Sequence, residues 1–335
     1  MQIVLITDLA ERLLGTVTDG DIRRALLQGI TLDDEVELAM HEQPSTGSVN
    51  ESPLVWRQRM QQRGLRHLPI VDNEGRVVDL LCDKVETPRS YDNPVVLMLG
   101  GLGMRLRPLT QTTPKPMLMV GDKPILETIL EHVIEQGFRN FYFCINYLGN
   151  QIREYFADGA RWGAKIHYIE EKHRMGTAGA LSLLEEKPET ELMVMNGDLL
   201  TKVDLGALLS FHREHDNQAT VCVREHQQQV PFGVMEMNGS RIMQLVEKPV
   251  YRYFVNAGIY VLSPHTLALL PNGEPCDMPQ LLNMLIEREQ AVGGFPLAEY
   301  WLDIGRMPDF EQAQADFDLH FTRIDLSERG KMRHG

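Results

Sequence analysis

The 335-residue sequence predicts an α/β protein, a doubly wound, mostly parallel, Rossmann-like sheet preceded by a smaller α+β module. Three observations carry this. From Val95 onward, short apolar runs alternate with stretches of helical period, the pattern of strands joined by crossover helices. Ahead of Asp83 the elements are shorter and are separated by tight turns. Between them "KVETPRSYDNP", Lys84 to Pro94, is polar, carries two prolines and has no period, so the joint falls there. The expected division is a module over 1–85, a linker over 86–93, a main domain over 94–320 and a tail over 321–335.

The elements follow in chain order. "LLGTVTDGDIRRALLQG" reads as a strand, a turn and a helix started by Asp19 or Asp21 and closed by Gly29. Leu68–Val71 and Val77–Leu81 read as two strands joined by an Asp-Asn-Glu-Gly turn. Val95–Leu99 is a strand; Ile125–Gln136 sets its apolar residues on one stripe and stops at Gly137. Phe141–Ile145 and Ile166–Ile169 are strands, Gly149–Phe156 is a helix, and Gly179–Leu184 is the core of another. "ELMVMNGD" is an apolar strand running into Asp198. Strands alternating with helices give a sheet covered on both faces, with ligands beyond the strand carboxyl ends. Gly100, Gly101, Gly103 and Asp198 all fall at such ends, which argues for one shared site.

Composition limits the function classes. The chain is 43% hydrophobic and 24% charged, ordinary for a globular protein. Its net charge of −14 repels nucleic acid and anionic membranes. No apolar run approaches the roughly 20 residues of a bilayer span, and the N-terminus lacks a basic secretory leader. Cys82, Cys144, Cys222 and Cys276 are scattered, so disulfides and zinc are not expected, and a cytoplasmic location is. His212, His215, His226 and His265 have no metal spacing and read as surface residues. The runs "MLMV" and "LMVM" read as core filling.

The stretch "VVLMLGGLGMRLRPLTQTTPKPML" decides the chemistry. A dinucleotide fingerprint needs glycines that open a helix, and Pro108, Pro114 and Pro116 forbid one here. A P-loop needs a Lys after its last glycine, and none follows Gly103. What remains is an extended glycine loop whose backbone N–H groups can approach phosphates, with Arg105 beside it and Lys115 on a stiff Pro-Lys-Pro frame. Taken alone, the glycines fit a structural turn with solvated basic residues better than a phosphate loop.

Taken with its neighbours, the stretch resembles the opening motif of the sugar-1-phosphate nucleotidyltransferases, G-G-x-G-[TS]-R-L-x-P-L-T through P-K-P-[ML]. It departs only at Met104, where the family has Thr or Ser. Further motifs follow in the family's order: "MGTAGALSLL" from Met175, "NGD" at 196–198, "FGV" at 232–234, "VEKP" at 246–249, "NAGIY" at 256–260 and "WLDIGRMPDFEQA" from Trp301. The resemblance covers 95 to 315 and leans towards the mannose-1-phosphate guanylyltransferase-like branch through "MGTAGAL". It implies attack by a sugar 1-phosphate on the α-phosphorus of a nucleoside triphosphate, GTP favoured with dTTP or UTP as alternatives, releasing pyrophosphate. The acceptor would be a hexose or amino-hexose 1-phosphate, and the product a sugar nucleotide for surface glycans. Such a nucleophile is already ionised, so the chemistry needs positioning and charge neutralisation rather than a base.

By the same resemblance Asp198 and Asp303 hold Mg²⁺, and Leu99, Gly100, Gly101, Gly103, Gly176 and Thr177 bind the nucleotide. Arg105 meets the leaving pyrophosphate and Lys115 the α-phosphate. Lys248 holds the sugar phosphate, Glu247 and Asn256 bond sugar hydroxyls, and Gly233 admits the sugar. Read alone, Asp198 fits a cap on the next segment, Asp303 a buried structural hydrogen-bonder and Glu247-Lys248-Pro249 a surface turn.

In the N-terminal segment, "GTVTDGD" from Gly15 and "LPIVDNEGRVV" from Leu68 resemble a pair of CBS motifs, modules that bind adenine nucleotides. Thr18 would offer a hydroxyl to phosphate and Asp21 a carboxylate to a ribose diol. The second copy departs, with Asp79, Cys82 and Val85 at the positions of Gly15, Thr18 and Asp21, and the first is expected to be truncated. CBS pairs associate, which implies a homodimer. A second function class is a catalytically inactive nucleotide-sensing subunit; against it stand Arg105, Lys115, Asp198 and Asp303, all present.

Overall fold

The computed structural model describes residues 3–82 and 90–321. The chain divides into two compact units between positions 88 and 89. Residues 86–89 of the expected linker, Val85 and the tail beyond 321 lie outside the described residues.

In the first unit, strand Ile3–Thr7 pairs antiparallel with Leu13–Thr18. Helix Asp19–Leu27 follows with no intervening turn, because Thr18 caps it at once. The Thr18 hydroxyl accepts from the Asp21 N–H (3.3 Å) and donates to the Asp21 carboxylate (2.7 Å), and the same carboxylate accepts from the Thr18 N–H (2.9 Å). Arg24 binds its other oxygen at 2.9 Å. Strands His67–Val71 and Val77–Cys82 form the expected hairpin, with Gly47–Ser48 parallel to the first. Helix Pro53–Arg63, ended by Gly64 in the left-handed region, lays Met60 on Leu68 and Ile70 to make a small core.

The second unit is built on a seven-stranded sheet. Its order is Lys165–Glu170, Asn140–Ile145, Val95–Met98, Leu192–Asn196, Val250–Leu262, Ala219–Gln229 and Val292–Pro296. Every pairing is parallel except the two made by Val250–Leu262. Starting at Val95–Met98, the chain winds outward through Asn140–Ile145 to Lys165–Glu170 and returns to the other flank of its first strand at Leu192–Asn196. The winding therefore reverses between Val95–Met98 and Leu192–Asn196, and in doubly wound sheets the ligand crevice lies beyond the carboxyl ends of the strands at such a reversal.

Both faces of this sheet are covered. On one, Ile125–Glu135 and Leu205–Glu214 pack with Leu97, Met195 and Phe143; on the other, Met278–Glu287 packs with Val96 and Val194. This two-sided burial is why the central strands read as unbroken apolar runs. Gly179–Leu184 is not a regular helix. A four-residue helical turn, Gly176–Gly179, passes into the 3₁₀ turn Ala180–Leu183, since two glycines in four residues disfavour a longer helix. The N–H groups of Ala178 and Gly179 bond to the Cys276 carbonyl instead.

Two further sequence expectations are corrected. His212 is buried, 2% exposed, with Nδ1 2.9 Å from the Thr220 hydroxyl and Nε2 3.2 Å from that of Ser263. Its place on the inward stripe of Leu205–Glu214 outweighs its polarity because both ring nitrogens find partners. The glycine loop is not extended throughout: Met104–Leu106, Leu109–Gln111 and Lys115–Met117 are 3₁₀ turns, short enough to fit between the prolines. All four cysteines are free, Cys82 exposed and the others buried. Among the described residues no helix is long and apolar enough to cross a membrane.

Candidate active site

The crevice at the reversal is edged by two loops that leave adjacent parallel strands. The first leaves Val95–Met98. The N–H of Leu99 bonds to the Cys144 carbonyl (2.9 Å) and its side chain is buried, so Leu99 anchors the loop in the core rather than lining its open side. Gly100 follows over the buried Glu171, and a Cβ there would meet its carboxylate oxygen at 3.0 Å and Asn146 at 3.2 Å. Gly103 turns the chain at φ +60°, and the Thr110 hydroxyl donates to its carbonyl (2.8 Å). Gly101 and Arg105 then face solvent, and Met104 is exposed where the family has a hydroxyl.

The second loop leaves Leu192–Asn196 through Gly197, whose N–H bonds to the Met98 carbonyl (3.0 Å), and reaches Asp198. Strand Leu199–Thr201 then pairs antiparallel with Trp301–Asp303, setting Leu199 opposite Asp303. The N–H of Ile304 bonds to the Asp198 carbonyl (3.1 Å). This short ladder brings two aspartates 105 positions apart in sequence to one spot. Lys115, buried on its Pro-Lys-Pro frame, is ion-paired with one carboxylate oxygen of Asp198. A Cβ on Gly305 would lie 3.6 Å from both terminal nitrogens of Arg105, so the guanidinium reaches the turn after Asp303. The structure thus brings Arg105, Lys115, Asp198 and Asp303 together.

Electrostatics reinforce the grouping. Partial desolvation, and then the neighbouring Asp198 carboxylate, push the Asp303 carboxyl above its ordinary value; Lys115 and Arg105 pull it back. The second oxygen of Asp198 is buried without a hydrogen-bond partner, an unusual state for a carboxylate unless something binds it. Two hard carboxylates, one with a bare oxygen, fit Mg²⁺. Among the described residues no cluster of three or more His, Cys, Asp or Glu could form a full metal cage.

The other predicted residues divide. Gly176 and Thr177 lie at the mouth of a segment held by Asp277, whose carboxylate accepts from the Thr177 N–H (3.0 Å) while the Thr177 hydroxyl accepts from the Met278 N–H (2.8 Å). Asn256 stands on the sheet opposite Val223, its side-chain Oδ1 accepting from the Gly258 N–H (2.9 Å). Gly233, Glu247 and Lys248 stand on an exposed arm, residues 224–255, rather than on the sheet rim. Gly233 and Glu247 are neighbours there, 3.0 Å separating a Gly233 Cβ from the Glu247 carboxylate. Lys248 sits at φ +47°, a strained conformation that turns the chain.

Sequence reasoning missed Glu171 and Asp277. Burial pushes the Glu171 carboxyl up, against a hydrogen bond from the Met175 N–H (3.1 Å) and the charges of Arg174 and His173. It follows the carboxyl end of Lys165–Glu170, so the strand-end rule that located Asp198 could have found it. Asp277 carries no such signal, because its partner lies 100 positions away.

Comparison with known proteins bears on the family and the fold. The family model described as nucleotidyl transferase matches residues 94–318. The chain belongs to that family. It is 32% identical over 225 residues to the mannose-1-phosphate guanylyltransferase catalytic subunit beta of Danio rerio, covering 64% of this chain and 62% of that one. It is 30% identical over 239 residues to a UTP–glucose-1-phosphate uridylyltransferase of Synechocystis, covering 65% and 61%. The chain thus spans about three-fifths of the length of these relatives. Among solved structures, a protein described as a glucose-1-phosphate thymidylyltransferase of Bacillus anthracis, crystallised with sucrose, superimposes with a TM-score of 0.56. The match is at 20% identity over 69% of this chain and 97% of that one. At that identity the likeness speaks for the fold.

Proposed function

We propose that the chain transfers a nucleotidyl group from a nucleoside triphosphate, GTP favoured, to a hexose or amino-hexose 1-phosphate and releases pyrophosphate. The observation that carries this reading is the meeting of Lys115, Arg105, Asp198 and Asp303 at the point where the sheet reverses its winding. The reaction joins two anions, so its barrier is largely the work of bringing them together and spreading the charge that builds up. Mg²⁺ on Asp198 and Asp303 would neutralise phosphate charge between the reactants. Lys115, held on stiff backbone beside Asp198, would meet the α-phosphate. Arg105, exposed at the loop, meets the departing pyrophosphate. The N–H groups of the Gly100–Gly103 loop line the phosphate path. Gly176 and Thr177 contribute at the base and ribose, and Gly233, Glu247, Lys248 and Asn256 at the sugar phosphate.

Guanine is favoured by "MGTAGAL" and by the guanylyltransferase among the relatives, although relatives are also named for uridylyl and thymidylyl transfer. The test is a panel of four nucleoside triphosphates against several sugar 1-phosphates, with Mg²⁺ and pyrophosphate detection. GTP with mannose or glucose 1-phosphate should be among the reacting pairs. Turnover that survives in Asp198→Asn, or without divalent metal, sinks the mechanism.

Met104, exposed in place of the usual hydroxyl, favours a second reading, a nucleotide-sensing subunit without turnover. The first unit extends this as a CBS-like adenine-nucleotide site at Thr18 and Asp21, where a ligand would compete with the capping bonds. No reacting pair in the panel, together with calorimetric binding of ATP that is lost in Asp21→Ala, would select it.

A further inference from the structure

The hairpin of Val234–Asn238 and Arg241–Val246 is apolar on one face and covered by nothing in its own unit. Met235 pairs directly with Leu245, and Met237 with Ile242, across a bulge that absorbs Met243. Alternate residues of a strand share a face, so these two pairs stack into one apolar surface. Met235, Met237, Ile242, Met243, Leu245 and the adjoining Phe232 are each more than half exposed. None belongs to a buried cluster among the described residues. At the base of the same arm, Tyr251, Tyr253 and Phe254 are also exposed on the two-stranded ribbon that extends past the sheet.

Such an arm is unstable in isolation. A two-stranded hairpin is marginal in water without a hydrophobic face to pack on. Six large apolar side chains, each more than half exposed on one hairpin, form the kind of contiguous apolar patch that marks an interface rather than the scattered single residues normal on a monomer. Charge indicates what covers it. Two copies of a chain carrying −14 repel one another over most of their surface. The arm alone is nearly balanced, with Arg224, Arg241, Lys248 and Arg252 set against Glu225, Glu236 and Glu247. It is where two copies can approach without that cost, and its methionines adapt to an irregular partner surface.

We propose that the arm over residues 224–255 is a self-association surface through which two copies of this chain form a dimer, the Met235–Leu245 face of each covered by the other. The proposal rests on the hairpin's apolar face and not on the reaction, whose sugar-phosphate residues Gly233, Glu247 and Lys248 lie on the same arm. The test is sedimentation velocity of the full chain over a wide concentration range, with Met235→Lys combined with Leu245→Glu. These two changes sit directly opposite each other, so their ion pair preserves the hairpin while charging its apolar face. The expected result is a dimer of the 38.2 kDa chain that the double variant converts to monomer with an unchanged circular dichroism spectrum. A wild-type chain that stays monomeric, or a folded double variant that stays dimeric, overturns the proposal. Amide exchange on the unaltered protein gives a second reading should the variant fail to fold. Protection of residues 234–246 should rise with protein concentration. Protection that does not change with concentration, or exchange that is fast throughout, overturns it.

Discussion

Strands Ala219–Gln229 and Val250–Leu262 are paired along their length, yet their two ends lie in different surroundings. At the Val221–Tyr260 end the side chains are buried between helices; past Val223 and Asn256 the same ladder runs into solvent, still bearing Phe254, Tyr253 and Val250. Apolar content does not distinguish the ends. What differs is whether helices Leu205–Glu214 and Met278–Glu287 lie above and below. Where they do, the sheet is rigid enough to hold charged groups at its rim against their mutual repulsion. Where they do not, apolar residues become a surface that another body must cover.

The comparison is sharpest at the rim, where the largest effects are expected. Lys115→Ala should lower kcat by about 10²–10³-fold, as removal of one preorganised transition-state contact typically does, and Asp303→Asn by at least as much, both read by pyrophosphate release. Comparable loss from a substitution on the arm's apolar face such as Met237→Ala, in protein shown to be folded, would break the division between the charged rim and that face. Stability should divide the same way. Leu97→Ala, at a fully buried site, should cost about 2–5 kcal/mol in urea denaturation. Ile242→Ala at low protein concentration should stay within about 0.5 kcal/mol, because it removes a side chain that touches mostly water.

Histidines give a smaller contrast. Burial holds the His212 imidazole below its ordinary value, with Arg213 adding to this and Glu191 opposing it. The unfolded chain therefore takes up a proton near pH 6.5 that the folded chain refuses. Stability is then fully present above that pH and declines as pH falls below it, by at most about 1.4 kcal/mol per pH unit for one group. His212→Gln should flatten that slope in denaturation curves taken between neutral and mildly acid pH. His226→Gln, on the exposed arm, should leave it as it was.

How far the sequence was legible follows from the range of the interactions involved. Strands Val95–Met98 and Leu192–Asn196, with Gly100 and Asp198 at their ends, were readable because apolar runs and strand-end loops are local signals. Asp303 was readable only through resemblance, since nothing within Trp301–Asp303 says that it pairs with Leu199–Thr201. His212 was misread because its partners, Thr220 and Ser263, arrive from two later segments. The arm was missed for a third reason. A hairpin alternation such as Met235–Met237 has the same pattern whether its face meets a helix, a second copy or water, and only the packed structure tells these apart.

The smallest effect separates the two aspartates, which sequence reasoning treated as equivalent. Asp303 has its carboxyl raised by partial desolvation and by Asp198, so the folded state binds its proton more readily than the unfolded chain does. Its contribution is favourable below the unfolded value and is lost as pH rises through the folded one, so at neutral pH the ionised group opposes folding. Asp303→Asn should therefore raise the Tm of the metal-free protein slightly, the group being too open to solvent for more, and the gain should shrink at low pH. Asp198 is different, because Lys115 is buried against it. Asp198→Asn leaves that ammonium without its counter-charge, and Tm should fall. Added Mg²⁺ should raise the wild-type Tm by compensating both carboxylates, and should leave either variant nearly unchanged. Scanning calorimetry of the three proteins with and without the metal would show opposite signs for the two substitutions; equal signs would mean that the two carboxylates do not share one electrostatic site.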